Sequence, residues 1–260
     1  MSAVIGLAAN NRELPIGVSK HFQVMPTIDI INKAAEHGYI VSSYSEKKCR
    51  NAERTPFTKH MVRLRMDNVL PIVGDVVPEI LIINAHDRTT RLQFLLGFFR
   101  FVCANGMVTG DIFEGYRYKH TDTNPFDKIL NQFDVIKTVA SKRMDTIELM
   151  RGTTLSFDRQ RDFAYDASTL TPERTYQMTA ELNYINRTED NSSSLWNTFN
   201  RVQENLIKGI AQIRTNSNKI RKARPITSID KNVSINQRLW KLAESYIPSA
   251  NDGVSYAQAA

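Results

Sequence analysis

The stretch Pro78–Thr121, PEILIINAHDRTTRLQFLLGFFRFVCANGMVTGDIFEGYRYKHT, decides how the chain folds. It is the most apolar run present. Polar residues break it at few places: Asn84-Ala85-His86-Asp87, Arg100, Asn105-Gly106 and His120. Val77–Ile83 is apolar on both faces and is expected as a central strand. Asn84–Thr90 reads as a polar turn, and Arg91–Leu96 extends again. Beyond that the periodicity supports two readings. Leu92, Leu95, Leu96, Phe99, Val102 and Cys103 fit one helical face, but the run also suits a buried strand. The preferred reading breaks at Gly97, with a short helix or turn over Phe98–Ala104 closed by Asn105-Gly106. The rival is one long strand closed by an Asn-Gly hairpin. Met107–His120 is then a strand, with Gly110 and Gly115 as bulges or points of close approach.

Upstream, Thr27–Gly38 has Ile28, Ile31 and Ala35 on one helical face, Thr27 as N-cap and Gly38 as C′ residue. Tyr39–Tyr44 reads as a strand, and Glu46–Pro56 as a charged turn. Thr58–Met66 alternates, with His60, Val62, Leu64 and Met66 inward and a basic outer face of Lys59, Arg63 and Arg65. Downstream of Asn124-Pro125 the pattern turns helical: Phe126–Met150, Phe157–Tyr165, Pro172–Ile185, Leu195–Ile213 and Val233–Tyr246. Asn216–Asn232 reads as a basic loop. The expected class is α+β. One early helix precedes an N-terminal mixed or antiparallel sheet, the sheet-rich part covering residues 38–121, and a helical half, 125–246, packs on it. Residues 1–20 are a lead-in, 20–246 a single domain and 247–260 a flexible tail.

Of the 260 residues, 42% are hydrophobic and 23% charged, which suits a globular protein rather than a disordered one. No apolar run is long enough for a membrane span, and no basic residue precedes the first apolar run as in a signal peptide. The expected location is the cytoplasm, that of the host cell if the gene is a phage's. Cys49 and Cys103 lack metal or disulfide spacing and are expected as free thiols. The net charge is +7. Between Arg201 and Lys241 ten Lys/Arg face two acids, Glu204 and Asp230, so that segment alone carries +8. Such local excess is the footprint of a polyanion partner.

Candidate phosphate contacts are Arg201, Lys208, Arg214, Lys219, Arg221, Lys222 and Arg224, helped by Arg63, Arg65 and Arg100. Phe98, Phe101, Tyr116 and Tyr118 are candidates for base stacking. Arg100 has two readings: a phosphate contact between aromatics, or a core arginine paired with Asp111 or Glu114. The amides of Asn197, Asn200, Gln203 and Asn205 form either a buried network capping the sheet or a groove-reading face. His86-Asp87 with His60, Glu79 and His120 could supply acid–base or divalent-metal chemistry, though no spacing demands it. Asp87 could equally close an Asx-turn. No nucleotide-loop, zinc-protease or nucleophile-elbow motif is present.

Several of these residues carry a resemblance. His21 with Pro26-Thr27, Thr58 to Arg65, Pro78-Glu79-Ile80 with Asn84-Ala85-His86-Asp87, Arg100 to Met107, Leu195 to Leu206, and Asn236 with Leu239-Trp240 and Ala243-Glu244 together resemble the DUF932 family. The resemblance implies a single continuous domain and a phage, plasmid or other mobile-element setting, often beside recombination and replication genes. The family usually has glycine where this chain has Arg88, which removes the residue best suited to a positive-φ turn. The expected function is nucleic-acid binding, most of all binding or annealing of single-stranded DNA by a homo-oligomer without catalysis or cofactor. The alternatives are a metal-dependent nuclease centred on His86 and Asp87, with His60 and Glu79, and a host-defence antagonist that binds a host protein.

Overall fold

The computed structural model describes residues 5–67, 76–100, 105–108, 117–121, 139–140 and 142–248. The chain forms two compact units, Met1–Lys142 and Arg143–Ala260.

The first unit contains helices α1 (Leu7–Asn10) and α2 (Thr27–Glu36) and strands β1 (Tyr39–Glu46), β2 (His60–Met66), β3 (Val76–Asn84), β4 (Leu92–Arg100), β5 (Asn105–Val108) and β6 (Arg117–Tyr118). The sheet is antiparallel in the order β1-β2-β3-β4-β5, and β6 also pairs with β4. β3 is central, as its two apolar faces require. The start of α2 differs from expectation. Pro26 occupies the N-cap position, while Thr27 is the first helical residue and turns its hydroxyl inward. The buried stripe follows from that anchor: Thr27, Ile30, Ile31 and Ala34, rather than Ile28, Ile31 and Ala35. Gly38 takes φ +80 after the helix, as a C′ glycine should.

β2 also departs from its expected half-buried form. Arg63 is buried and Arg65 half-buried, so this face is not a solvated basic one. Glu79, on the neighbouring strand and the same face, is 1% exposed. Its carboxylate accepts from Arg63 Nη1 at 2.9 Å, Arg65 Nη2 at 2.8 Å and Ser42 Oγ at 2.7 Å. The Arg65 guanidinium also lies 4.1 Å over the Phe99 ring. A lone buried charge would be costly, and two cations sharing one anion with its remaining lone pairs filled is a tolerable arrangement.

β4 runs unbroken through Gly97 to Arg100, which corrects the expected helix after Phe98. Phe98, Phe99 and Arg100 are paired on one side with Pro78, Val77 and Val76 and on the other with Met107, Gly106 and Asn105. Two flanking strands satisfy the backbone of this segment in a way no helix there could. Asn105-Gly106 therefore stands inside β5. The expected bulges at Gly110 and Gly115 lie outside the described residues.

In the second unit, residues 143–152 are helical (α3). They are followed by α4 (Phe157–Ser168), β7 (Thr175–Tyr176), a 3-10 turn (Thr179–Asn183), α5 (Leu195–Lys208), β8 (Gln212–Arg214), β9 (Ile220–Lys222) and α6 (Ile229–Ser245). Its core holds Phe163, Trp196, Phe199 and Trp240. Phe199 stacks on Trp196 at 5.8 Å and meets Trp240 edge-on at 5.9 Å. Three expectations change here. Pro172–Ile185 is not a helix. Its start pairs with β8, and the Asn205 amide takes the Leu182 and Tyr184 carbonyls at 2.8 and 2.9 Å. α5 stops at Lys208 because Gly209 adopts φ +70. The basic loop contains β9, paired antiparallel with β8.

Glu79→Ala should leave Arg63 buried without its anion and destabilise the first unit by about 3–5 kcal/mol. Hydrogen exchange in peptides covering β2 and β3 should accelerate accordingly, and unchanged exchange there would refute the clamp.

Candidate nucleic-acid interface

The residues expected to do chemistry divide between the two faces of the first sheet. His60 pairs directly with Asn84, and side chains alternate along a strand, so His60 and Asn84 share one face while Glu79, Arg63 and Arg65 share the other. His60, His86 and His120 do come together: ring centroids are 6.1 Å apart for His60–His86 and 5.5 Å for His86–His120. His60 Nδ1 donates to the Thr58 carbonyl at 3.0 Å, which leaves Nε2 to accept from the Thr27 hydroxyl at 2.7 Å. Thr27 Oγ1 in turn accepts from the Asn84 amide, which also donates to the Met25 carbonyl at 2.9 Å. His86 Nε2 donates to that same carbonyl at 3.1 Å. Burial pushes His60 and His86 each down to about 4, so both are neutral at physiological pH. Asp87 closes an Asx-turn, accepting from Thr89 N at 3.0 Å. Among the described residues no group of three or more His, Cys, Asp or Glu is arranged to hold a metal ion.

The amide row on α5 is internal. Asn200 donates to the Trp196 carbonyl at 2.7 Å, Gln203 to Asn236 Oδ1 at 2.9 Å, and Asn205 to the carbonyls already named. Arg201 is buried too. Its guanidinium reaches Asn183 Oδ1 at 2.8 Å, the Ser192 carbonyl at 2.8 Å and Gln160 Oε1 at 3.0 Å. Glu204 accepts from Lys208 at 2.6 Å and Arg187 at 2.7 Å, and these cations hold its carboxyl below the usual range against the opposing effect of burial. Arg201 and Lys208 thus serve the fold of the second unit. In the first unit Arg100 is only 4% exposed, and Phe98 and Tyr118 are core residues. Phe101, Tyr116, Asp111 and Glu114 lie outside the described residues.

The rest of the basic cluster is different. Arg214, Lys219, Arg221, Lys222 and Arg224 are all exposed along the β8–β9 hairpin. The segment 212–224 contains no acid. No described carboxylate is within ion-pairing distance of any of the five. All three residues of β9 are exposed, so the strand projects both faces into solvent. Its root is fixed: an added Cβ on Gly209 would sit 2.5 Å from the Ala223 carbonyl, and Arg174 donates to the Leu206 carbonyl at 2.9 Å and to the Arg224 carbonyl. At the turn end of β8, Arg214 Nη2 donates to Gln177 Oε1 at 2.9 Å. Gln177 lines a cleft of about 620 Å³ with Tyr165, Tyr176 and Met178. Tyr165 is 62% exposed. The sequence does not signal this cleft, because Tyr165 on α4 and Tyr176 on β7 are isolated there and meet only in the folded unit.

The profile of the family described as a domain of unknown function, DUF932, matches residues 17–240. Two Escherichia coli K12 relatives, the UPF0380 proteins YfjQ and YafZ, are each 32% identical over 234 residues, covering 88% of this chain and 84% of the relative. No solved structure matches. No described helix is long and apolar enough to cross a membrane.

Two outcomes follow from these buried groups. Below about pH 6.5 the unfolded chain protonates His60 and His86 while the folded chain resists until about 4. Stability of the first unit should therefore be full above pH 6.5 and fall as pH drops towards 4, by up to about 3 kcal/mol per imidazole. Hydrogen exchange in β2 and β3, corrected for intrinsic rates, should show that fall, and His60→Gln should flatten it. Asn205→Leu should strand two carbonyls and cost the second unit about 2–4 kcal/mol. Urea unfolding followed by Trp fluorescence reads that loss, since Trp196 and Trp240 both lie in this unit.

Proposed function

For a chain that belongs to the DUF932 family, we propose that the function is binding of nucleic acid, with single-stranded DNA as ligand and annealing in recombination or replication as the setting. The observation that carries this reading is the acid-free β8–β9 hairpin with its five exposed cations. Phosphates spaced along a flexible strand can meet successive side chains on a projecting ribbon without any deformation of a duplex. Exposed Tyr165 and the neighbouring Tyr176 and Met178 offer surfaces on which unpaired bases stack. Asp158 and Asp162 in the same cleft disfavour phosphate there, so backbone contacts fall to the hairpin and base contacts to the rings. The charges on β9 also discourage edge-to-edge pairing with another chain, which keeps this edge open for an anion.

Fluorescence anisotropy with a labelled oligonucleotide tests the reading. Affinity should be highest at about 50 mM salt and fall log-linearly above it, because counterion release dominates. The triple variant Lys219→Ala/Arg221→Ala/Lys222→Ala should weaken binding and reduce the salt slope by about 2, at roughly 0.7 per neutralised phosphate on a single strand. Duplex of the same sequence should bind less tightly. No binding at low salt, or an unchanged slope in the variant, would overturn the proposal.

A further inference from the structure

A second basic cluster lies in the first unit, where the turn after β3 meets the starts of β4 and β6. Arg88, Arg91, Arg117 and Lys119, with Phe22 and His120, line a cleft of about 570 Å³. That volume is within the range of small-molecule sites. No carboxylate is among the described lining residues, and Arg88, Arg91 and Arg117 have no described ion-pair partner. The nearest acid in sequence, Asp87, is held by its own turn, taking both the amide and the hydroxyl of Thr89.

The cleft is built rather than incidental. Strand pairing sets Arg117 opposite Gln93, two residues from Arg91. The segment before α2 is laced across: Gln23 N donates to the His120 carbonyl at 2.6 Å, and His120 Nδ1 donates to the Gln23 carbonyl at 3.0 Å. Phe22 stacks on the His120 ring at 4.8 Å and 9°. The imidazole is 6% exposed, and its Nε2 has no hydrogen-bond partner among the described residues. Arg88 adopts φ +68, a left-handed conformation that costs an ordinary L-residue about 1 kcal/mol. Its Nη1 donates to the Gly17 carbonyl at 3.0 Å, and the guanidinium lines the cleft. A strained backbone that carries a cation to a cleft of like charges is an arrangement that an anion would relieve.

We propose that this cleft binds a nucleoside phosphate. The three arginines hold the phosphate, and half-buried Phe22, backed by His120, is the platform for the base. The phosphate comes either from a free nucleotide or from the end of a DNA strand. The cleft is built from residues of the first unit and the hairpin from residues of the second, and the cleft's existence does not depend on the hairpin's role.

Isothermal titration calorimetry of the full chain tests it, with dTMP, thymidine and inorganic phosphate as probes. dTMP should bind more tightly than either of the others by about tenfold, because only dTMP supplies both the charge and the ring. Arg91→Ala/Arg117→Ala should weaken dTMP by about tenfold or more. Arg88→Gly removes a cation while relaxing a positive φ, so it should weaken dTMP and raise the melting temperature together. Phe22→Ala should weaken dTMP but leave inorganic phosphate unchanged. The hairpin triple variant should bind dTMP as the parent does. In that variant a short oligonucleotide displacing dTMP only when 5′-phosphorylated identifies a strand end as the source, and failure to displace identifies the free nucleotide. Absence of dTMP binding, equal affinity for inorganic phosphate, or full retention in the arginine variants would overturn the proposal. Loss of dTMP binding in the hairpin variant would overturn the assignment of the nucleotide to the first-unit cleft alone.

Discussion

At the end of β3 a run of polar groups enters the interior and has to be satisfied there. The solution is a relay from the Thr58 carbonyl through His60, Thr27 and Asn84 to the Met25 carbonyl and His86. Each imidazole is neutral, because burial disfavours its charged form, and that neutrality fixes which ring nitrogen donates. The relay joins the entry of α2, the start of β2 and the end of β3. Thr27 must therefore face inward, which sets the stripe by which α2 packs. The backbone amides of His86 and Asp87 both donate to the Phe57 carbonyl, so the turn that follows leaves the core in one direction. His86-Asp87, which invites a catalytic reading, is the hinge of this arrangement.

Charge in this protein divides into two populations that composition cannot separate. Arg63 and Arg65 are held by Glu79, Arg201 by carbonyls and amides, and Lys208 by Glu204. These cations balance polar groups within their own unit, and an external anion would have to displace those partners. The hairpin cations and the cleft arginines of the first unit have no described anion. Net charge measures the excess, but only burial and pairing locate it.

The legibility of the fold follows the same division. β3 could be read because a strand apolar on both faces has few alternatives, and β2 because period-2 alternation survives even where the polar residues turn out to be buried. The helix expected over Pro172–Ile185 failed because its carbonyls are taken by Asn205, a partner more than twenty positions away. β9 was invisible since Ile220-Arg221-Lys222 buries nothing and thus has no hydrophobic period. The break expected at Gly97 ignored two strands able to satisfy that backbone. In each case a long-range partner outweighed a local preference. The hairpin cations were legible as residues, while the cleft was not, because Phe22, Arg88 and Arg117 are far apart in sequence and meet only through the β4–β6 pairing and the Gln23–His120 hydrogen bonds.

Arg88 joins these threads. The relay in the core holds Asn84 to His86, and Asp87 closes the turn, so residue 88 must accept positive φ whatever its side chain. Glycine would do so without strain. Arginine there raises the energy of the fold by about 1 kcal/mol and returns no apolar burial, since the residue is exposed. Its hydrogen bond to Gly17 is exposed, and a contact of that kind contributes little net stability. The guanidinium is therefore better explained by what it faces than by what it stabilises. It faces Arg91, Arg117 and Lys119 across a cleft, and like charges gathered on rigid strand ends raise the energy of the empty site while lowering that of an anion-filled one.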